Sequence, residues 1–211
     1  MTKILNTSML YADMFITKEK LMTTFRPHAN ALRNQALQFA VMAHGSQVRK
    51  GNEHIPYVFH CVDVANEVIY YSGLPIPELE LASVIAILHD TIEDTIVTFE
   101  DVKQQFGLEI ARGVKAMSKD DSIVCIGESK QAQLEESLVR LKAAPRYVQA
   151  VKLADRVSNL KSFPAMWSRE KVASYLEEAM LIARELGNAS EGLDARLRAR
   201  VSQSRVTLSI M

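Results

Sequence analysis

The chain has 211 residues, of which 48% are hydrophobic and 24% are charged, a composition typical of a single globular domain and unlike that of a disordered chain. Lysine plus arginine and aspartate plus glutamate number 25 each, so no net charge draws the protein to nucleic acid or to an anionic membrane.

Three further features favour a cytoplasmic protein. The longest nearly apolar run, residues 81–88, is much shorter than the roughly 20 residues that a membrane-spanning helix needs. Polar residues interrupt the N-terminal stretch, which makes it a poor signal peptide. Cys61 and Cys125 lie in apolar stretches without CxxC spacing, which indicates buried thiols in a reducing compartment.

In the first half of the chain, apolar residues recur at helical spacing. Residues 1–28 have weak periodicity and are interpreted as an N-terminal extension. The stretch 47–57 is rich in turn-forming residues and predicts a loop with two adjacent cations, Arg49 and Lys50. Pro75 and Pro77 are expected to terminate the helix before them. Helices are predicted over 30–45, 59–73 and 79–94, and the third is apolar nearly all round, as in the centre of a bundle.

Helical signals continue in the second half. Thr98 and Asp101 resemble a capping box, and Gly107 follows where that helix would end. Residues 118–129 are polar and predict a mobile loop. Ser168 is expected to cap a long helix ending at Gly187. The other predicted helices are 109–117, 130–143, 145–160 and 190–201. With no hairpin pattern in the sequence, the prediction is an all-α fold of about eight to ten helices.

One segment carries more charge than core packing requires. His89, Asp90, Glu93 and Asp94 lie within six residues at the end of an otherwise apolar helix. On one helix, His89 and Glu93 are neighbours four residues apart, as are Asp90 and Asp94, so all four can face one cleft. Clustered carboxylates repel each other unless a cation neutralises them, and a divalent metal is the simplest such cation.

Two more ionisable residues in apolar surroundings complete a ligand set. His60 opens the second helix, and Asp155 lies in an apolar stretch of a later one. Taken alone, His60 would more often be a core histidine, and Asp155 with Arg156 would usually be a surface ion pair. With His89 and Asp90 they offer two imidazoles and two carboxylates, which suit manganese, with magnesium, iron or zinc as alternatives.

Further motifs accompany these residues along the chain: Ala43-His44 with Gln47, Arg49-Lys50, Pro56-Tyr57, Leu88 through Thr95, Phe106-Gly107, and Lys152 through Arg156 with Asn159. The order His, His-Asp, Asp resembles the HD-domain metal phosphohydrolases. The whole set, over roughly residues 31 to 187, resembles the hydrolase domain of the RelA/SpoT family, and single-domain small alarmone hydrolases are the nearest type.

The resemblance implies an HD-domain bundle around a manganese ion and removal of the 3′-pyrophosphate from guanosine 3′,5′-bis(diphosphate). Residues 29–187 would form the hydrolase domain, and 188–211 its last helix and tail. His60, His89, Asp90 and Asp155 would bind the metal. Glu93 and Asp94 would orient and deprotonate the attacking water.

The resemblance also implies substrate contacts. Arg49 would stack on the base, Lys50 would meet phosphate, and Asn159 would hydrogen-bond the nucleoside. Lys171 and Tyr175 match positions that contact the pyrophosphate in single-domain relatives. Independently of the resemblance, a polyphosphate needs cations such as the Arg49-Lys50 pair.

Several alternatives stay open. The same chemistry could act on the adenosine analogue or on a phosphorylated dinucleotide such as NADPH, because the loops around His54 and after Ser118 depart from the family's pattern. A non-catalytic nucleotide-sensing module is a different class of function, against which the Glu93 and Asp94 pair argues. The expected partner is a small nucleotide, with no nucleic acid and no membrane, and the oligomeric state is left open, a homodimer included.

Overall fold

The computed structural model describes residues 32–118 and 130–210, and within these ranges helices form nearly all of the regular structure. The elements are α1 Leu32–His44, β1 Val48–Arg49, β2 Asn52–Pro56, α2 Val58–Tyr71, α3 Ile76–Leu88, α4 Thr91–Asp94, α5 Phe99–Phe106, α6 Leu108–Met117, α7 Lys130–Ala143, α8 Arg146–Asn159, α9 Arg169–Leu186, a 3-10 turn Gly187–Ala189 and α10 Glu191–Ile210. The predicted all-α class is confirmed. The N-terminal extension, the loop 119–129 and Cys125 lie outside the described residues.

Helix α3 lies at the centre of the bundle. Residues 82–88 are all buried, and the helix packs against α1, α2, α6 and α8. A helix that is apolar nearly all round has no face to offer to water, which explains its position. Helix α6 approaches α3 closely through Gly113, where an added Cβ would lie 2.4 Å from Ile85 Cδ1.

Helix α8 is the second core helix and brings the C-terminal part of the chain onto α2 and α3. Val148, Val151 and Val157 are buried along it, and it packs against α2, α3, α9 and α10. Because α2 and α8 are in contact, side chains about 95 residues apart in sequence can meet between them. Cys61 of α2 is buried, as predicted. In the described ranges, no helix combines the length and the apolar character needed to cross a bilayer.

Two helix starts follow their predicted local signals. The Thr98 hydroxyl accepts a hydrogen bond from the Asp101 backbone, and the Asp101 carboxylate accepts one from the Thr98 backbone, which forms the predicted capping box. Ser168 caps α9 as expected. The prolines predicted to end α2 instead start α3, because Pro75 precedes its first turn and Pro77 lies within it, where amide donors are not needed. The last helix extends to Ile210, beyond its predicted end.

The continuous helix predicted over 79–94 is wrong, because the chain turns at His89 and Asp90 between α3 and α4. His89 Nδ1 donates to the Ala86 carbonyl at 2.8 Å, and the Thr91 hydroxyl donates to the Leu88 carbonyl at 2.7 Å. These side chains therefore occupy carbonyl groups that an uninterrupted helix would use for its own backbone hydrogen bonds.

The segment predicted as a loop between the first two helices contains a short antiparallel hairpin, in which Val48 pairs with Pro56 and Arg49 with Asn52. With β1 only two residues long, the sequence has too little alternation to reveal a strand. Gly51 has a φ of +84°, and an added Cβ would lie 2.9 Å from Pro164. Only glycine fits at this point, where the hairpin meets the segment after α8.

Candidate metal centre

The four predicted metal ligands converge at one point between three helices. His60 comes from the first turn of α2, His89 and Asp90 from the turn after α3, and Asp155 from α8. Asp155 Oδ1 lies 3.3 Å from His60 Nε2 and 3.7 Å from His89 Nε2. Asp90 Oδ2 lies 2.9 Å from His89 Nε2 and 3.8 Å from His60 Nε2. Two nitrogens and two carboxylate oxygens thus surround one small volume.

The orientation of the two imidazoles fits a bound cation. His89 uses Nδ1 to donate to the Ala86 carbonyl, and His60 Nδ1 lies 3.0 Å from the Ser158 hydroxyl, so both rings direct Nε2 at the carboxylates. His89 Nε2 is buried and lies 2.9 Å from Asp90 Oδ2, but without the alignment of a hydrogen bond. A buried ring nitrogen without a hydrogen bond is costly unless another group takes its lone pair. His60, His89 and Asp155 form a group of buried residues that could hold a metal ion.

The electrostatics of the cluster also suit a cation. Burial would raise the pKa of Asp155, but Lys152 and the two histidines outweigh burial and hold that pKa well below its usual range. Burial likewise opposes ionisation of Asp90, whose pKa His89 nevertheless lowers. Burial lowers the pKa of His60, whereas Asp90 and Asp155 outweigh burial at His89 and raise its pKa well above the usual range, so that in the absence of a metal a proton on His89 supplies the positive charge. The cluster thus offers two ionised carboxylates, and a divalent cation would neutralise both.

Three neighbouring side chains fix the two carboxylates. The Tyr57 hydroxyl donates to Asp90 Oδ2 at 2.5 Å, Lys152 Nζ donates to Asp155 Oδ2 at 3.1 Å, and Asn159 Nδ2 donates to Asp155 Oδ1 at 2.6 Å. No role for Tyr57 or Lys152 was predicted from the sequence. The signal for Lys152 was its position one helical turn before Asp155, whereas Tyr57 meets Asp90 only through the tertiary fold.

Glu93 and Asp94 lie on the single-turn helix α4, directly after His89 and Asp90. The Asp94 amide donates to the Asp90 carbonyl at 2.8 Å, which keeps one helical hydrogen bond across the turn. Gln47 Nε2 donates to the Asp94 carbonyl at 2.6 Å and ties α4 to the start of the hairpin. Both carboxylates line the same cavity as the four ligands.

The cavity has a volume of about 1090 Å³ and is lined by the ligand cluster, the hairpin and the segment after α8. Arg49 and Lys50 both line it. The two terminal nitrogens of Arg49 each lie 3.2 Å from Asn159 Oδ1, so the hairpin is joined to α8 beside Asp155. The structure therefore brings Arg49, Lys50 and Asn159 together at the cluster, in a space large enough for a nucleotide.

The two remaining predicted substrate residues are placed differently. Tyr175 lines the cavity under the Arg156 guanidinium, whose Cζ lies 4.1 Å from the ring centroid, and burial raises the pKa of Tyr175 to about 12. Lys171 lies outside the cavity lining, with Nζ 4.5 Å from the centroid of the Trp167 ring. A substrate contact of Lys171 therefore remains a prediction.

Comparisons with known proteins agree with this geometry. A family model described as HD domain matches residues 36–190. The chain is 31% identical over 179 residues to the guanosine-3′,5′-bis(diphosphate) 3′-pyrophosphohydrolase MESH1 of Mus musculus, which covers 82% of this chain and 95% of the mouse protein. It is 33% identical over 173 residues to the guanosine-3′,5′-bis(diphosphate) 3′-pyrophosphohydrolase of Aquifex aeolicus, covering 81% of this chain and 23% of that longer protein.

A solved structure is similar over most of both chains. It is that of a metazoan orthologue of SpoT that hydrolyses ppGpp, with a TM-score of 0.72 and 25% sequence identity. The match covers 85% of this chain and 98% of the other.

Proposed function

The chain belongs to the HD-domain hydrolases of the guanosine-3′,5′-bis(diphosphate) 3′-pyrophosphohydrolase type, and we propose that it removes the 3′-pyrophosphate of guanosine 3′,5′-bis(diphosphate) with the help of a metal ion. Water is consumed, and the products are GDP and pyrophosphate, or GTP and pyrophosphate from the pentaphosphate. The observation that carries the proposal is one cavity lined by His60 and His89, by the acidic residues Asp90, Glu93, Asp94 and Asp155, and by the cations of the hairpin.

We propose His60, His89, Asp90 and Asp155 as the metal ligands and manganese as the ion. The support is the group formed by His60, His89 and Asp155, together with Asp90 Oδ2, which lies 2.9 Å from the buried His89 Nε2. A divalent cation bound there would neutralise phosphate charge and lower the pKa of a water molecule.

Glu93 and Asp94 are proposed as the catalytic residues that orient and deprotonate the attacking water. Their support is position, because α4 follows the ligand pair directly and both side chains line the cavity. A carboxylate that lines the same cavity as the cluster can accept the proton that water loses when it attacks phosphorus.

Arg49 and Lys50 are proposed to bind the nucleotide, with Arg49 on the base and Lys50 on phosphate, and Asn159 to bind the nucleoside. In the free protein Arg49 and Asn159 hydrogen-bond each other. On binding, the nucleotide would exchange these bonds for its own. Tyr175, which lines the same cavity, and Lys171 are proposed as contacts to the pyrophosphate.

The site of action is proposed to be the cytoplasm, where the buried Cys61 thiol stays reduced. The substrate is a small nucleotide. Residues 29–187 are proposed as the hydrolase domain, with 188–211 as its last helix and tail. The contacts of α10 with α2, α8 and α9 support this assignment.

The direct test is pyrophosphate release from guanosine 3′,5′-bis(diphosphate) by the purified protein with manganese. We expect Asp90→Ala to abolish both metal binding and turnover. Asp94→Asn should keep the metal and lower kcat by about 10²- to 10⁴-fold, since a general base contributes about that much. Glu80→Gln, an exposed acidic position on α3, is the matched control and should behave like the parent.

The adenosine analogue and NADPH belong in the same assay. Each contains a phosphate ester that the same metal-dependent hydrolysis could cleave, but each has adenine in place of guanine. Faster turnover of either one would reassign the substrate. Tight binding of the guanosine compound without turnover would support the non-catalytic sensing module. Turnover by Asp90→Ala at the parental rate would overturn the proposed mechanism.

A further inference from the structure

A chain of hydrogen bonds starts at Nδ1 of the proposed metal ligand His60, the ring nitrogen that does not face the two carboxylates. Ser158 of α8 lies 3.0 Å from His60 Nδ1 and donates its hydroxyl proton to Asp63 Oδ2 at 2.6 Å. A serine hydroxyl has a single proton, and an ionised carboxylate can only accept. Ser158 therefore accepts from His60, so Nδ1 carries the imidazole proton and the lone pair of Nε2 faces the cluster.

The carboxylate at the end of this chain is held in place and charged. Lys161 Nζ lies 2.5 Å from Asp63 Oδ1, so each Asp63 oxygen has its own donor. Burial would raise the pKa of Asp63, but the hydrogen bonds from Lys161 and Ser158 outweigh it and lower that pKa. Asp63 is therefore an anion at neutral pH.

Lys161 is in turn fixed by a second acidic residue of α2. Its Nζ lies 2.9 Å from Glu67 Oε1, and Glu67 also accepts two hydrogen bonds from Arg196 of α10, at 2.7 and 3.0 Å. Glu67 is only 3% exposed. Lys161 thus bridges two carboxylates of α2, and it binds the Asp63 oxygen that does not accept from Ser158.

We propose that Asp63 is a positioning residue for metal binding, acting on His60 through Ser158. The negative charge at the end of the chain fixes the imidazole tautomer and makes Nε2 a stronger donor to the metal. The two histidine ligands differ in this respect, since His89 is oriented by a backbone carbonyl and His60 by a side-chain carboxylate two hydrogen bonds away. The inference rests on the proposed function, because it requires a metal at the cluster.

The test is the affinity for Mn²⁺ itself, measured by titrating metal-free protein and following free Mn²⁺ by electron paramagnetic resonance. Asp63→Asn keeps an acceptor for Ser158 but removes the charge, and Ser158→Ala removes the link. Each should weaken Mn²⁺ binding by about 10- to 100-fold, the usual effect of losing such a partner. Because the two residues act in series, the double variant should lose no more than the worse single variant.

Lys161→Met is the matched control. It removes the salt bridge of Asp63 but leaves the connection to His60 intact, and it leaves Asp63 with a less neutralised charge. We expect Mn²⁺ affinity to be unchanged or slightly tighter. If Asp63 served only as a salt-bridge partner, Lys161→Met and Asp63→Asn would have the same effect.

Two outcomes would overturn the inference while leaving the proposed function intact. One is parental Mn²⁺ affinity in both Asp63→Asn and Ser158→Ala. The other is an equal loss of affinity in Lys161→Met. Thermal unfolding of each metal-free variant tests whether it is folded. If Asp63→Asn does not fold, the Mn²⁺ affinity of Ser158→Ala decides the question. A parent protein that binds no Mn²⁺ would count against the proposed function as well.

Discussion

At the scale of single residues, Asp90 shows how the fold prepares a ligand. Its Oδ2 accepts a hydrogen bond from Tyr57, which leaves the carboxylate little freedom to rotate. Burial and the neighbouring Asp90 charge raise the pKa of Tyr57, so the phenol keeps its proton and remains a donor at neutral pH. The phenol therefore orients Asp90 before any metal arrives.

The change Tyr57→Phe should weaken Mn²⁺ binding by about 10-fold, because losing a hydrogen bond that orients a metal ligand typically has this effect or more. The measurement is a titration of metal-free protein with Mn²⁺. Tyr70→Phe is the control, because the Tyr70 side chain is 74% exposed and lies at the opposite end of α2 from His60. Equal affinities for Tyr57→Phe and the parent would show that the phenol does not orient Asp90.

Some residues of the site could be predicted from the sequence, and others could not. His60, His89, Asp90 and Asp155 stand out because each is ionisable within an apolar segment, and the structure brings all four together, although their metal binding stays a prediction. Asp63 and Ser158 carry no such signal. Their contact depends on how α2 packs against α8, which no pattern within either helix specifies.

At the scale of elements, helix ends with local causes were predictable. The Thr98 capping box and the Ser168 cap act within three residues, so the sequence contains the complete signal. The short hairpin and the turn at His89 have no such local signal in the sequence. The hairpin has too few residues to show alternation, and the turn depends on side chains bonding to carbonyls in an otherwise helical pattern. The class of the fold was thus predictable, but the shape of the segment from His89 to Asp94 was not.

The buried ion pair between Glu67 of α2 and Arg196 of α10 predicts a dependence of stability on pH. Burial would raise the pKa of Glu67, but Arg196 and Lys161 lower it below its ordinary value near 4.5. The charged form therefore stabilises the fold above pH 4.5, and this contribution is lost as the pH falls through the lower, folded-state pKa.

Glu67→Gln should reduce the free energy of unfolding by about 2 kcal/mol at pH 7, the typical cost of losing hydrogen bonds to a charged group. The difference from the parent should shrink as the pH falls below 4.5, because the parent then loses the same charge. Urea unfolding of both metal-free proteins at several pH values measures it. The exposed change Glu80→Gln should produce no such difference, and a gap that stays constant with pH would contradict the explanation.

At the scale of the whole molecule, the proposed ligands join parts of the chain that are far apart in sequence. They come from α2, from the turn after α3 and from α8. The helices α2, α3 and α8 also pack against one another in the core. The unfolded chain does not hold the four side chains together, so a metal binds the folded state preferentially. Metal binding and global stability should therefore be linked.

Removal of metal with EDTA should lower Tm, and Mn²⁺ at about 100 times its Kd should raise it by roughly 5–10 °C, because such a concentration adds about 2.7 kcal/mol to a domain of this size. Differential scanning calorimetry measures both effects. Asp155→Asn should lose the response to Mn²⁺ while still unfolding cooperatively. A parent Tm that does not change with Mn²⁺ would mean that the cluster does not hold the ion.

The turn at His89 and Asp90 has a stereochemical consequence. Successive side chains on an α-helix point about 100° apart. The side chains of two adjacent residues on a regular helix therefore diverge and do not readily bind the same ion. At the end of α3, His89 Nε2 and Asp90 Oδ2 nevertheless lie 2.9 Å apart. The two functional groups of one dipeptide therefore meet at one point, as two neighbouring groups that chelated the same ion would have to do.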